Sequence, residues 1–254
     1  MQSRYTVWLN DVSMESLDPT AIYVSDIAYK AIQPKWQGAR LMGRDGQYSY
    51  DGCVESNAVV VTFMVRHYST SRRQDTVQEI ARWAVSGGAL QTSDRPGQQL
   101  QVRCTQLPAV SSAMRWTDEL QVEFTAYDDP YWRDIVATTA EIGNGDTGTL
   151  NNPGLLPTQV EVKATALDAI TGLWVSVGDT KIELANTGIG ADRWVDIRYT
   201  PEHHILEIMR SDGTSLLHKR TAESSDDLIA QPGNNEIKCS TGISCVFSVK
   251  GAWV

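Results

Sequence analysis

From Gln159 onward the chain divides into eight short segments of alternating apolar and polar residues, spaced about ten residues apart. They read "QVEVKATAL", "LWVSVGD", "KIELAN", "RWVDIRYT", "HILEIMRS", "SLLHKR", "NEIKCS" and "SCVFSVKGAW". A period of two sends successive side chains to opposite faces, so each segment is a strand with one face to bury. The turn sequences "GDT", "NTGIGAD", "SDGT" and "QPGNN" separate them, and no long stretch has helical spacing. Strands of this kind bury their apolar faces by packing as two antiparallel sheets. The spacing therefore predicts an all-β sandwich over 157–254.

The first half is also strand-rich. "RYTVWLN" (4–10), "AIYVSDIAY" (21–29), "NAVVVTFMVRHYS" (57–69), "QLQVRCTQL" (99–107) and "WTDELQVEFTAYD" (116–128) alternate or are rich in β-branched and aromatic residues. One segment departs from this pattern. "SRRQDTVQEIARWAVSGG" (71–88) sets Val77, Ile80, Ala81, Ala84 and Val85 at helical spacing, opens on a Ser71-x-x-Gln74 capping box and closes on Gly87 and Gly88. It predicts a single amphipathic helix over 74–86. "MGRDGQYSYDG" (42–52) and "SDRPG" (93–97) carry turn residues and fall between strands.

A chain of 254 residues suits two cores better than one, because single cores stop growing near roughly 250 to 300 residues. The expected domains are 1–137, a linker over 138–156, and 157–254. The linker, "TTAEIGNGDTGTLNNPGLLP" (138–157), is dense in Gly, Thr, Asn and Pro. Just before it lies "YDDPYW" (127–132). Asp129 precedes Pro130, which favours extended backbone and stops further pairing. Asp129, Pro130, Tyr131 and Trp132 are thus expected to anchor the chain where it leaves its first domain.

Charge narrows the function. The 22 Lys and Arg stand against 31 Asp and Glu, and the excess is shared: −3 up to Ala140 and −6 beyond it. With no basic face to neutralise phosphates, specific nucleic-acid binding is not expected. No apolar run approaches the ~20 residues that cross a bilayer as a helix, so membrane insertion is not expected either.

Catalytic and metal chemistry find no support in the motifs. "GNGDTG" (143–148) matches GxGxxG but no helix follows to face a pyrophosphate, so no cofactor is expected. Glu202, His203 and His204 lack a third ligand, and neighbouring strand residues diverge. His67 and His218 have no nucleophile motif beside them. Asp128 and Asp129 are neighbours rather than facing acids, which speaks against a carboxylate pair. Cys53, Cys104, Cys239 and Cys245 contain no CxxC pair and read as free thiols. We therefore expect no enzyme.

The order of these features resembles the distal tail proteins of long-tailed (siphovirus) bacteriophages. The matching residues are Gly43, Asp45 and Gly46; Val59 to Val65; the Val77 to Val85 helix; Asp94, Pro96 and Gly97; and Asp129, Pro130 and Tyr131. Further on come "NNPGLLPTQVEVKA" (151–164), "RWVDIRY" (193–199) and "QPGNNEIKC" (231–239). The resemblance spans nearly the whole chain through short, degenerate motifs. It implies a mainly β fold, with an N-terminal β-sandwich-like domain holding one α-helix and a C-terminal galectin-like sandwich. It also implies a structural role in the virion at the distal end of the tail, after synthesis in the host cytoplasm. A homohexameric ring would join the tail tube protein to the tail hub, with receptor-binding or fibre proteins as further partners. Some relatives carry an arm in the second domain that grips receptor-binding proteins, and no such insertion is present here.

Strand edges in a ring can pair with the next subunit. The region 43–65 is expected to carry those contacts, through Gly43, Asp45, Gly46, Val59, Val61, Phe63 and Val65. The rival reading is a carbohydrate-binding module for host surface glycans. Flat aromatic faces stack on sugar rings, and Trp174 and Trp194 are its candidate contacts.

Overall fold

The structure is a computed structural model and describes residues 3–30, 34–35, 38–39, 48–49, 53–54, 56–109, 111, 115, 117–126, 128–200 and 205–254. It divides into two compact units, Met1–Trp132 with Val254, and Arg133–Trp253. The fold is mainly β, with one α-helix among the described residues.

The first unit is built from β1 (Val7–Leu9), β2 (Val12–Ser13), β3 (Ile22–Tyr29), β4 (Pro34–Lys35), β5 (Gly38–Ala39), β6 (Tyr48–Ser49), β7 (Cys53–Val54), β8 (Asn57–Val65), α1 (Thr70–Val85), β9 (Gly88–Thr92), β10 (Gln98–Gln106) and β11 (Leu120–Ala126); β12 (Trp132–Asp134) spans the boundary. Seven strands form one path in the order β2-β1-β9-β10-β11-β8-β3. β10 changes partner along its length: Leu100–Val102 pair with β9, and from Arg103 onward β10 pairs with β11, across a bulge between Cys104 and Gln106. Val59, Val61, Phe63, Leu90, Leu100, Val122 and Phe124 are each 0% exposed. α1 packs on β8, β10 and the 3-10 turn Met14–Leu17, burying Val77, Ile80, Trp83 and Ala84.

The helix begins four residues earlier than its apolar spacing predicts, and this changes its cap. Ser69 is the N-cap and makes no side-chain cap bond, while Ser71 lies inside the first turn, so the expected capping box does not form. The buried Arg73 side chain closes the turn from within, donating to the carbonyls of His67 and Tyr68 and to Thr70 Oγ1. At the other end the chain is fixed by a close approach. A Cβ on Gly88, at φ 120°, would fall 2.1 Å from Asn10 Oδ1. Asn10 accepts from Ala89 N at 3.0 Å and donates to Gly87 O at 2.8 Å. Asn10 and Asp11 both have positive φ, the backbone of a two-residue hairpin turn.

The second unit contains β13 (Thr138–Gly143), β14 (Thr147–Asn152), β15 (Thr158–Ala166), β16 (Ile170–Val177), β17 (Thr180–Ile189), β18 (Trp194–Tyr199), β19 (Leu206–Arg210), β20 (Ile229–Ala230), β21 (Gly233–Cys239), β22 (Ile243–Val249) and β23 (Ala252–Trp253). One sheet runs β13-β22-β15-β18-β19 and the other β14-β21-β16-β17. Their inward residues, among them Val162, Val175, Ile197, Ile237 and Phe247, form one apolar cluster. This is the predicted sandwich.

Two expectations are corrected here. The passage 138–156 is not a linker, because β13 and β14 are successive strands that join different sheets of the sandwich. β13 pairs with β22, and β14 pairs with β21. Its Gly and Asn residues supply the turn between the sheets, Asn144 and Gly145 having φ 54° and 83°, so "GNGDTG" is a tight turn from one sheet to the other. The unit boundary accordingly falls at Trp132, ahead of 138. Likewise "SLLHKR" contains the 3-10 turn Leu217–Lys219 in place of a strand.

"NNPG" and "QPGNN" meet in space, with Asn152 opposite Gly233 and Leu150 opposite Asn235. Asn152, 1% exposed, donates to Leu156 O at 3.0 Å and Ala230 O at 3.1 Å, and accepts from Gly154 N at 3.0 Å. Replacing it by alanine would strand three backbone groups, two of them buried and each worth about 1–3 kcal/mol when left unsatisfied. We expect Asn152→Ala to lower the urea midpoint of the second unit by an amount equivalent to roughly 2–4 kcal/mol after partial rehydration. A loss below about 0.5 kcal/mol would show that water replaces the side chain.

Candidate functional site

Asp129 to Trp132 lie at the end of the first unit. Trp132 is 0% exposed and meets Tyr29 edge-on, with ring centroids 5.8 Å apart and planes at 73°. The Arg95 guanidinium of "SDRPG" lies 5.1 Å from the Trp132 ring centroid and 4.8 Å from that of Tyr29. Tyr29 donates its hydroxyl to the Asp94 carboxylate at 2.7 Å and lies 3.0 Å from Thr92 Oγ1. Burial raises the Tyr29 hydroxyl well above its ordinary pKa, and the adjacent Asp94 carboxylate adds to this, so the phenol remains a donor. Pro130 is buried and its carbonyl accepts from Asn57 Nδ2 at 3.1 Å. Asp129 Oδ1 accepts from Tyr131 N at 3.3 Å, and Asp128 pairs with Arg103 at 3.0 Å in an exposed position. The two acids serve different partners and do not converge.

Among the described residues no group of three or more His, Cys, Asp or Glu is placed to hold a metal ion. Glu202, His203 and His204 lie outside the described residues. His67 Nε2 lies 2.7 Å from Asp18 Oδ2, a pairing between residues 49 positions apart that no motif indicates. Burial alone would raise the Asp18 carboxyl, but hydrogen bonds from His67 and Thr20 and the His67 charge outweigh it and hold the group below its ordinary value of 3.8. A depressed carboxylate contributes stability above its unfolded pKa and loses it as pH falls through the folded one. We therefore expect Asp18→Asn to cost about 1 kcal/mol near pH 6 and progressively less below pH ~4, read from urea titrations at each pH. A deficit that stays constant down to pH ~3 would contradict the assignment.

The candidate ring residues divide. Gly43, Asp45 and Gly46 lie outside the described residues. Val59, Val61, Phe63 and Val65 are at most 1% exposed, and β8 is paired on both sides, by β3 and β11. These four are core side chains of the chain itself and offer neither a surface nor a free edge, which corrects the expectation that they face a neighbour. The hairpin lies earlier: β4 pairs with β7, Pro34 opposite Val54, and β5 with β6, Gly38 opposite Ser49. Both ladders stand off the seven-strand path.

In the sandwich one edge of each sheet is covered. Thr221 N bonds Glu183 O and Ser225 N bonds Lys181 O along β17. Along β19, Arg210 N bonds Thr214 O and Leu216 N bonds Ile208 O. The segment 214–225 thus covers β17 and β19, and β13 and β14 are the opposite edges.

Trp174 and Trp194 are half-buried and sit on different sheets. Their neighbours Leu173, Val175 and Val195 point into the shared core, so the two rings face outward on opposite sides of the sandwich and cannot form one platform. Lys181 Nζ lies 5.2 Å from the Trp174 ring centroid and Lys163 Nζ 4.9 Å from that of Trp194. A shallow polar depression of about 340 Å³ lies between β14 and β21, lined by Thr147, Thr149, Asn234 and Glu236 among others. Its carboxylate, Glu236, is paired with Lys238 at 2.6 Å, and no second acid lines it.

No protein-family model and no curated protein matches the chain. Among solved structures the fold matches that of the SPP1 Dit (gp 19.1) protein, described as a paradigm of hub adsorption apparatus in phages that infect Gram-positive hosts. The TM-score is 0.75 at 12% identity, covering 97% of this chain and 98% of that one. The phage P2 baseplate in its activated conformation with Ca gives 0.51 at 9% identity, with 97% of each chain covered. The same baseplate with Sr gives the same values. At such identities the shared property is the fold, and it is the fold that the resemblance to distal tail proteins implies.

Proposed function

We propose that the chain is a structural component of a phage tail tip. In this reading six copies form a ring between the tail tube and the tail hub or baseplate, with a central opening for DNA. The observation that carries the reading is the end-to-end likeness to a phage hub protein, at TM-score 0.75 over 97% of this chain. A match across both units preserves the order of a whole architecture, which a single shared sandwich would not.

Two features support assigning the ring contacts to the first unit. The second unit covers β17 and β19 with its own segment 214–225, which blocks strand addition there. The β4/β7 and β5/β6 ladders are two-stranded, and two-stranded ladders are marginal alone in water. A neighbouring copy would supply what they lack. A ring of identical copies repeats one heterologous contact until it closes. The net charge of −9 suits a passage that must not retain DNA.

Negative-stain electron microscopy of the purified chain tests the proposal. Six-fold rings with a central hole are expected, and compact monomers at high concentration would overturn the ring.

A further inference from the structure

We propose that Cys239 and Cys245 form a latent intrachain disulfide that closes under oxidising conditions and locks one corner of the sandwich. Cys239 ends β21 in the four-stranded sheet, opposite Val175. Cys245 lies in β22 of the other sheet, opposite Ala164 and Ile142. The connection between them passes from one sheet to the other through Thr241 and Gly242. Both side chains point into the common core, at 1% and 0% exposure, and belong to the same apolar cluster there. Cys104 is elsewhere, with its thiol directed at Gln106 O.

Two thiols facing one core from opposite sheets, joined by a short corner in sequence, are placed to close a bond of about 2.05 Å once their side chains rotate. With an oxidised glutathione-type disulfide as oxidant, the thiolate of one cysteine attacks a glutathione sulfur and releases one glutathione thiolate. The second cysteine then attacks the mixed disulfide at the protein sulfur, forming Cys239–Cys245 and releasing the second glutathione. The two cysteine protons end on the two glutathione thiols. The protein pair is oxidised by two electrons and the glutathione disulfide is reduced.

Burial sets the rate. It pushes the Cys245 thiol far above its ordinary pKa, and the neighbouring Cys239 adds to the effect, so little thiolate forms near neutrality. The corner is also held from outside, Asn144 N donating to Ile243 O at 2.7 Å and Gly242 N to Asn144 Oδ1 at 3.3 Å. Closure should therefore be slow, pass through local opening of this corner, and accelerate with pH. The bond suits a chain made in a reducing compartment and used in an oxidising one. That setting rests on the tail-tip reading, whereas bond formation does not.

Trypsin cuts after Lys238 and Lys250, leaving both cysteines in one peptide, Cys239–Lys250. The full chain is incubated with oxidised glutathione at pH 7 and pH 9, quenched by alkylation under denaturing conditions and mapped without reductant. The expected result is a peptide two hydrogens lighter that takes no alkyl group, forming faster at pH 9. The closed bond should also raise the unfolding midpoint of the second unit by several degrees, about 4–10 °C, reversibly with dithiothreitol. Cys239→Val/Cys245→Val should show no oxidant-dependent rise. The proposal is overturned if the native chain keeps this peptide doubly alkylatable, or links it to Cys104 or Cys53, while the urea-unfolded chain closes it. A Cys239–Cys245 bond in a chain that forms no rings would refute the tail-tip ring alone.

Discussion

Trp132→Ala is expected to lower the stability of the first unit by about 3–5 kcal/mol, the range for truncating a fully buried large aromatic. The ring is 0% exposed, and removing it opens a cavity against Tyr29 and takes one of the two ring faces from Arg95. Arg95 would keep its contact with Tyr29 and its bond to Val254 O at 3.1 Å. The cluster should therefore loosen without collapsing. Against a typical total of 5–15 kcal/mol this is a large fraction, so the variant should melt roughly 10–20 °C lower. Trp132→Phe should recover part of the loss by filling part of the volume. Circular dichroism melts and urea titrations read both changes. An alanine variant within about 1 kcal/mol of the parent would show that the ring does not anchor this segment.

Excising 34–54, with a short Gly-Ser bridge between Gln33 and Glu55, is expected to abolish ring formation. The two ladders lie off the main sheet path, and β3 and β8, which flank them in sequence, pair with each other directly. The excised chain should keep its core and its melting transition. Mass photometry should then find monomers, lighter than the 28.1 kDa of the full chain by the excised segment, where the proposed ring predicts six-copy assemblies for the parent. Rings of undiminished abundance would move the contact elsewhere on the first unit. A chain that no longer melts cooperatively would show that the ladders stabilise the unit itself, against the role proposed for them.

The legible parts of the fold were those set by local periodicity. Alternation marked β15, β16, β18, β21 and β22, and helical spacing marked α1, because one apolar face per element is a property of short sequence windows. The burial of Pro130 and Trp132 was legible for a similar reason: proline stops pairing locally, and a large aromatic beside it has to be buried. Composition misled at 138–156. Gly, Asn and Thr there suggested a linker, yet the same residues make two strands and a tight turn between sheets once β21 and β22 supply partners. The candidate ring residues failed on burial. "NAVVVTFMV" marks a strand, but an apolar run reads the same whether its faces meet the chain's own core or another copy. Only pairing by β3 and β11 settles that β8 is central. The Asp18–His67 bond left no trace in the sequence, since it depends on long-range placement.

The sequence by itself determined that this is a mainly β chain with one helix and a C-terminal sandwich, because periods of 2 and 3.6 are imposed residue by residue. The tertiary structure alone decided the unit boundary, which strands are central, which edges are covered and which side chains meet. These depend on pairing between residues distant in the chain, and one strand pattern is compatible with many pairings until a single packed core selects among them.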